Sequence, residues 1–404
     1  MRNKFTILRN MAAAPTTDPF SGGILAGIAE APEVVARPKV ESAELSMQEV
    51  LEASRDPTVV GIAPAMPTKM IQLVEDEADT QVPATAQAQT AWGIKAVRAD
   101  VSSFTGNGVV VSILDTGIDK NHPAFQGVQL IEKDFSGAGN GDGQGHGTHC
   151  AGTVFGRDVN GNRIGVARGV QKALIGKVLD NQGNGDSDML FRGMQWAQQE
   201  GANIISMSLG FDFPGFVDRL INDQGLPAPA ATSIALEGYR ANLRMFDAIM
   251  NLYRQSGAFG PGLLVVAASG NESNRDGNPA PVYEVAVSVP AAAQDVIAVG
   301  AIADGQNGFS VAPFSNTFPQ VSAPGVNILS AKAGGGLVAF NGTSMATPHV
   351  AGVAALWWEK RKAAANNRVS DAVRADLIAS ARDNVFAAGT DAADRGFGLV
   401  TSPA

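Results

Sequence analysis

The sequence predicts an α/β fold: a parallel, doubly covered sheet with helices on both faces, plus a small N-terminal α+β domain. Three observations lead there. Short strand candidates from residue 109 onward are nearly all apolar, as parallel strands covered on both faces are. Helix-compatible stretches alternate with them. The first 74 residues follow another pattern, with strand candidates grouped around one short helix.

Taken in order, FTILRN and VVARPKVESAEL read as strands, SMQEVLEASRD as a short helix and VVGIAPAMPTKMIQLV as a last strand, so residues 1–74 form one unit. The stretch EDEADTQVPATAQAQT is acidic and then rich in Ala, Gln and Thr, with neither a helical nor an alternating apolar period. Residues 75–88 are therefore expected to be an exposed linker open to proteolysis. Residues 89–404 carry the strand candidates VVVSILD (109–115), ALIGKVL (173–179), NIISMSLG (203–210), LLVVAASG (263–270) and VIAVGA (296–301). Between them Asp186 or Ser187 caps a helix whose Met189, Leu190, Met194 and Ala197 follow helical spacing, and Gly201 stops it. The insert from Phe211 to Pro261 contains a further helix, ATSIALEGYRANLRMFDAIMNLY, whose pattern states no role.

Composition narrows the function. With 404 residues, 45% of them hydrophobic and 17% charged, a sizeable core is available. A net charge of −9 without a basic stripe argues against a nucleic-acid partner, which would need clustered Lys and Arg. The single cysteine, Cys150, excludes an internal disulfide. No apolar run approaches the roughly 18 to 20 residues of a membrane span, so no membrane partner is expected. MRNKFTILRNMAAAP also lacks the apolar stretch of about 7 to 15 residues that a secretory signal needs, which points to a cytoplasmic location with secretion left open.

Three motifs carry chemistry. Asp115 ends an apolar strand in ILDTGID, His146 sits among glycines in GQGHGTHCAG, and Ser344 precedes an Ala/Gly-rich helical run in FNGTSMATPHVAGVAAL. Amide hydrolysis needs an activated nucleophile, a base for its proton and donors aimed at the oxyanion. Ser344 suits the nucleophile, His146 the base and Asp115 the residue orienting that base. Asn271, after the apolar strand and glycine of VVAASGN, suits an oxyanion donor beside the Ser344 N–H. His149, three residues on, rivals His146 on residue type alone. His122, His349 and Asp119 read as structural.

DTGID, GHGTHCAG and GTSMATPHVAG, in that order and joined by SMSLG and AASGN, resemble the subtilase family from Trp92 to Val400. The resemblance chooses His146 over His149 and implies a serine endopeptidase with a subtilisin-like sheet, acting through an acyl-enzyme. It also implies substrate-binding residues: Ser208, Leu209 and Gly210 as one pocket wall, Ala268, Ser269 and Gly270 as the other. Gly183, Asn184 and Gly185 would be an edge strand that pairs with an extended polypeptide substrate. By the same resemblance, residues 1–74 are an inhibitory propeptide covering the cleft, removed by self-cleavage between about Val74 and Ala88, and the enzyme acts as a monomer. No cofactor is required. Structural calcium is implied for some members, but their usual acidic ligand is Ala124 here, which leaves Asn160 and Asn162 as candidate oxygens. The alternative is a narrow protease that trims one precursor, with the 211–261 insert restricting access. A non-catalytic binding protein is a third reading.

Overall fold

The computed structural model describes residues 2–11, 38–74, 89–257, 260–363 and 368–404. The 75–88 linker and most of the stretch from Met11 to Arg37 lie outside these described residues.

The N-terminal unit is a sheet of β1 (Asn3–Asn10), β2 (Pro38–Leu45) and β3 (Val59–Pro64), ordered β2-β1-β3, with helix α1 (Met47–Ala53) between β2 and β3. Ser46 and Glu49 close a capping box at the start of α1, each bonding the other's backbone N–H. The last strand read from the sequence is in fact two strands. It breaks at Ala65 and Met66, and β4 (Pro67–Met70) leaves for a different sheet. Pro64 and Pro67 flank the break, and neither has an N–H to continue a ladder.

After the short helix α2 (Trp92–Ala96) comes the central sheet. Its parallel strands are β5 (Val110–Asp115), β6 (Gln129–Asp134), β7 (Lys172–Lys177), β9 (Ile204–Met207), β11 (Leu264–Ala268), β12 (Val296–Ala303) and β14 (Val321–Pro324). They run β6-β7-β5-β9-β11-β12-β14, and β13 (Ser310–Val311) pairs antiparallel with β12. Alternate strand residues serve opposite layers. Val111, Ile113, Ile204 and Val266 pack with α3 (His146–Phe155), α7 (Thr343–Lys362) and α8 (Val369–Ala379). Leu114, Ile205, Val265 and Ala267 pack with α4 (Ser187–Gln199) and α6 (Ala228–Gly257). Double cover explains why these strands read as continuous apolar runs.

Two further departures matter for the site. The run 203–210 breaks at Ser208, so that β10 (Leu209–Phe211) joins β4 and β8 (Asn184–Asp186) instead of the central sheet. The 211–261 insert forms α5 (Phe213–Asn222) and the 30-residue α6, longer than its sequence pattern suggested. The insert lies against the N-terminal unit, where Asn242 Nδ2 on α6 donates to the Pro64 carbonyl at 2.9 Å. No helix among the described residues is long and apolar enough to cross a membrane.

Candidate active site

Asp115 closes β5 at its carboxyl end, the edge where open parallel sheets collect ligands. Its Oδ1 lies 2.7 Å from His146 Nδ1 and accepts the Thr116 N–H at 2.8 Å. A carboxylate only accepts, so Nδ1 carries a proton, and in the neutral ring Nε2 then keeps its lone pair. Nε2 is buried with no hydrogen-bond partner among the described residues. Burial pushes the His146 imidazolium down, but Asp115 and the Cys150 sulfur outweigh it and hold the ring well above its ordinary value.

His146 opens α3, and the turn before it is held by Asp142, a residue with no signal in the sequence reading. The Asp142 carboxylate accepts from Gly145 N at 2.7 Å, Thr148 N at 2.8 Å and Thr116 Oγ1 at 2.9 Å. Burial would raise this carboxyl; the bonds outweigh burial and lower it. Gly147 must be glycine, since a Cβ there would lie 2.2 Å from the Gly117 carbonyl oxygen. His149 turns elsewhere. Its Nε2 meets the Ile328 carbonyl at 2.9 Å, its ring stacks on Phe340, and burial lowers it to about 3. His122 meets the Gly336 carbonyl, His349 meets the Met345 carbonyl, and Asp119 bonds the Asn121 and Gly334 N–H groups.

Ser344 lies in the first turn of α7, where backbone N–H groups have no intrahelical acceptor. Its Oγ donates to the Ser208 carbonyl at 3.4 Å, and Ser208 Oγ returns a bond to the Ser344 carbonyl at 3.0 Å. Cys150 lies between Ser344 and His146: its sulfur is 3.4 Å from the Ser344 carbonyl and 3.9 Å from His146 Nδ1. The three residues thus meet at one rim of the sheet, with the Ser344 hydroxyl turned to Ser208 and not to His146. Such catalytic bonds often tighten only in a productive complex.

Asn271 follows β11 and Gly270. Its Oδ1 accepts from Thr343 N at 2.9 Å and Thr343 Oγ1 at 2.8 Å, which turns Nδ2 to the cleft. There Nδ2 donates to the Gln72 carbonyl at 2.8 Å. That carbonyl belongs to a segment threaded through the cleft. Strand β4 lies between β8 and β10, antiparallel to both, with Lys69 opposite Asn184, Thr68 opposite Gly185, Met70 opposite Leu209 and Lys69 opposite Gly210. Met70 N also donates to the Gly183 carbonyl at 2.7 Å. Ile71 follows, 3% exposed and against Gly210, while Ala268 and Ser269 are buried at the end of β11. Farther on, Val74 and Asn341 exchange two bonds of 3.2 Å each. A cavity of about 710 Å³ opens beside Gln72, Leu73 and Val74, lined also by Asn271 and Asn341.

The model of the Subtilase family matches residues 106–399. The chain belongs to the subtilase family. It is 31% identical over 357 residues to M-protease of Shouchella clausii (strain KSM-K16), covering 87% of this chain and 77% of the relative. It is 30% identical to an alkaline protease of Alkalihalobacillus alcalophilus with the same coverage. Subtilisin Savinase of Lederbergia lenta is 31% identical over 304 residues, 74% of this chain and 95% of that protein. This subtilase is accordingly a subtilisin-like serine endopeptidase, a hydrolase with an α/β fold. The cytoplasmic location expected from its N-terminal residues gains no support from these relatives.

Calcium fits this subtilase poorly at the positions the resemblance singled out. Ala124 brings no carboxylate, and its carbonyl already takes the Arg157 N–H at 2.7 Å. Asn162 Oδ1 accepts the Gln89 N–H at 3.2 Å, and the Asn160 carbonyl faces Asn162 Nδ2 at 3.5 Å. Asp158 lies 3.4 Å from Arg168. A calcium cage needs about six to eight oxygens free to turn inward.

Proposed function

We propose that the full chain is a zymogen whose own residues Pro67 to Val74 occupy the cleft as its first substrate. The observation that carries this reading is the Gln72 carbonyl at 2.8 Å from Asn271 Nδ2, two residues beyond the end of β4, which is paired on both sides by β8 and β10. In this reading Ser344 Oγ attacks the carbonyl carbon while His146 Nε2 takes its proton. The carbonyl oxygen becomes an oxyanion held by Asn271 Nδ2 and the Ser344 N–H, preorganised donors of the kind that lower such barriers most. Asp115 keeps the His146 tautomer and stabilises the imidazolium. His146 then gives its proton to the leaving amine, and water releases the acyl group from Ser344 by the same steps in reverse order.

Within the 1–74 unit, the residues up to Gln72 act as inhibitor, and the remainder of the chain carries the catalytic domain. The cut falls at a peptide bond of Gln72, upstream of the 75–88 span that the sequence alone suggested. Later substrates pair as a strand with Gly183, Asn184 and Gly185 on one side and Ser208, Leu209 and Gly210 on the other. The insert meets the N-terminal unit at Pro64 and the cleft strand at Lys69, 3.0 Å from Asp212, and no observation favours the narrow-specificity alternative.

Incubation of purified full chain followed by intact mass measurement tests the reading. The parent is expected to yield a fragment pair divided at Gln72, and Ser344→Ala to remain whole. The loss expected in turnover is about 10⁶-fold, a figure measured on subtilisin itself, the reference case within this family. A Ser344→Ala chain divided as fast as the parent would sink self-cleavage.

A further inference from the structure

We infer that Asn316 is a positioning residue for the oxyanion site: it clamps the loop from Ser269 to Ser273 on both sides of Asn271 and so aims the Asn271 amide. The inference rests on the role proposed for Asn271.

Asn316 is fully buried, on the loop between β13 and β14, and its hydrogen bonds go to the neighbours of Asn271. It bonds the loop on either side. Before Asn271, its Nδ2 donates to the Ser269 carbonyl at 3.1 Å and its backbone N–H to the Gly270 carbonyl at 3.1 Å. After Asn271, its Oδ1 accepts from Glu272 N at 3.1 Å, Ser273 N at 3.1 Å and Ser273 Oγ at 3.2 Å, and its Nδ2 meets Glu272 Oε2 at 2.7 Å. Every polar atom of the side chain is thus spent on the loop, with a longer Nδ2 contact to the Ala286 carbonyl at 3.4 Å.

The residue type is dictated by the partners. Donors and acceptors are both required, and only an amide of this length offers them together. An aspartate would set a second carboxylate against Glu272 and leave the Ser269 carbonyl without its donor. The loop has closed around the clamp: Gly270 has φ 111, and a Cβ there would lie 2.3 Å from Asn316 Nδ2. Thr343 fixes the Asn271 amide from its Oδ1 end, and Asn316 fixes the backbone beneath it. An oxyanion donor displaced by a fraction of an ångström loses much of its value, because the charge it meets exists only in the transition state.

The test is a double-mutant cycle on the full chain, incubated to constant fragment mass, with active sites counted by organophosphonate labelling of Ser344. Asn316→Ala is expected to lower kcat about 10- to 100-fold with KM within about threefold, less than the roughly 100- to 1,000-fold expected of Asn271→Ala. In the Asn271→Ala background the same change should cost under about threefold, since the amide it aims is gone. If Asn316→Ala does not fold, Asn316→Asp, close in shape but without the donors, takes its place in the cycle. Equal losses in both backgrounds, or a loss confined to KM, would overturn the inference and leave Asn271 untouched. An Asn271→Ala enzyme as fast as the parent would remove the role of Asn271, and the inference with it.

Discussion

The N-terminal residues meet the catalytic domain in two ways that differ in kind. The sheet β1–β3 docks through side chains: Leu8, Val40 and Ala63 join the same core as α4 and α6. Lys4 reaches Asp186 at 2.9 Å and Asp188 at 3.0 Å, and Thr6 donates to Asp188 at 3.1 Å. The segment from Pro67 to Val74 is held instead by backbone pairing, with Thr68 and Ile71 as its buried side chains. Backbone pairing is available to any extended peptide, whereas a shared core is specific to one partner. On the proposed reading the body of the unit is specific to this chain, while the seat of the strand would accept other extended peptides.

That contrast can be broken on the body side first. Leu8 is fully buried, and truncating such a side chain typically costs about 2 to 5 kcal/mol. Leu8→Ala in the released N-terminal unit should therefore raise its inhibition constant against the processed enzyme by roughly 30- to 4,000-fold, at 1.4 kcal/mol per factor of ten. An unchanged constant would mean that the strand, and not the body, carries the affinity. Asn242→Ala probes the same face from the catalytic side. It would leave the Pro64 carbonyl without its donor, at a cost of about 1 to 3 kcal/mol, so inhibition should weaken about 5- to 150-fold. Inhibition as tight as the parent's would show that the α6 contact contributes nothing.

The two regions also differ in how far the sequence disclosed them. Runs such as Val110–Asp115 and Leu264–Ala268 were legible because two covering layers demand apolar residues at every position. Asp115, His146 and Ser344 were legible because three motifs surround them. Strand β6 was not, because its residues are only half-buried or exposed and carry no continuous apolar run. The split at Ser208 and the one before Pro67 were hidden for a different reason. Each run stays apolar or extended while its partner strand changes, and partnership is a long-range property. Asp142 and Asn316 escaped for the same cause: their work is hydrogen bonding to backbone, which leaves no local signature.

The smallest stepwise effect separates the regions by pH. On the proposed mechanism cleavage needs neutral His146, and Asp115 with Cys150 holds that ring well above its ordinary value against the opposing pull of burial. As pH rises through the raised value the neutral fraction grows, so below it the rate constant for self-cleavage should rise about tenfold per pH unit. Docking follows another group. Burial lowers Lys4, but its bonds and attraction to Asp186 and Asp188 outweigh this and raise it above 10.5. A cation raised on folding stabilises fully below its unfolded value and loses that stabilisation only as pH climbs through the folded one. Below the raised value cleavage should therefore accelerate with pH, while the inhibition constant of the released unit stays level as long as the pH is below the ordinary lysine value of 10.5. The two quantities can be followed on the same samples, by intact mass and by residual peptidase activity. If both change together with pH, one group governs strand and body alike, and the separation drawn between them fails.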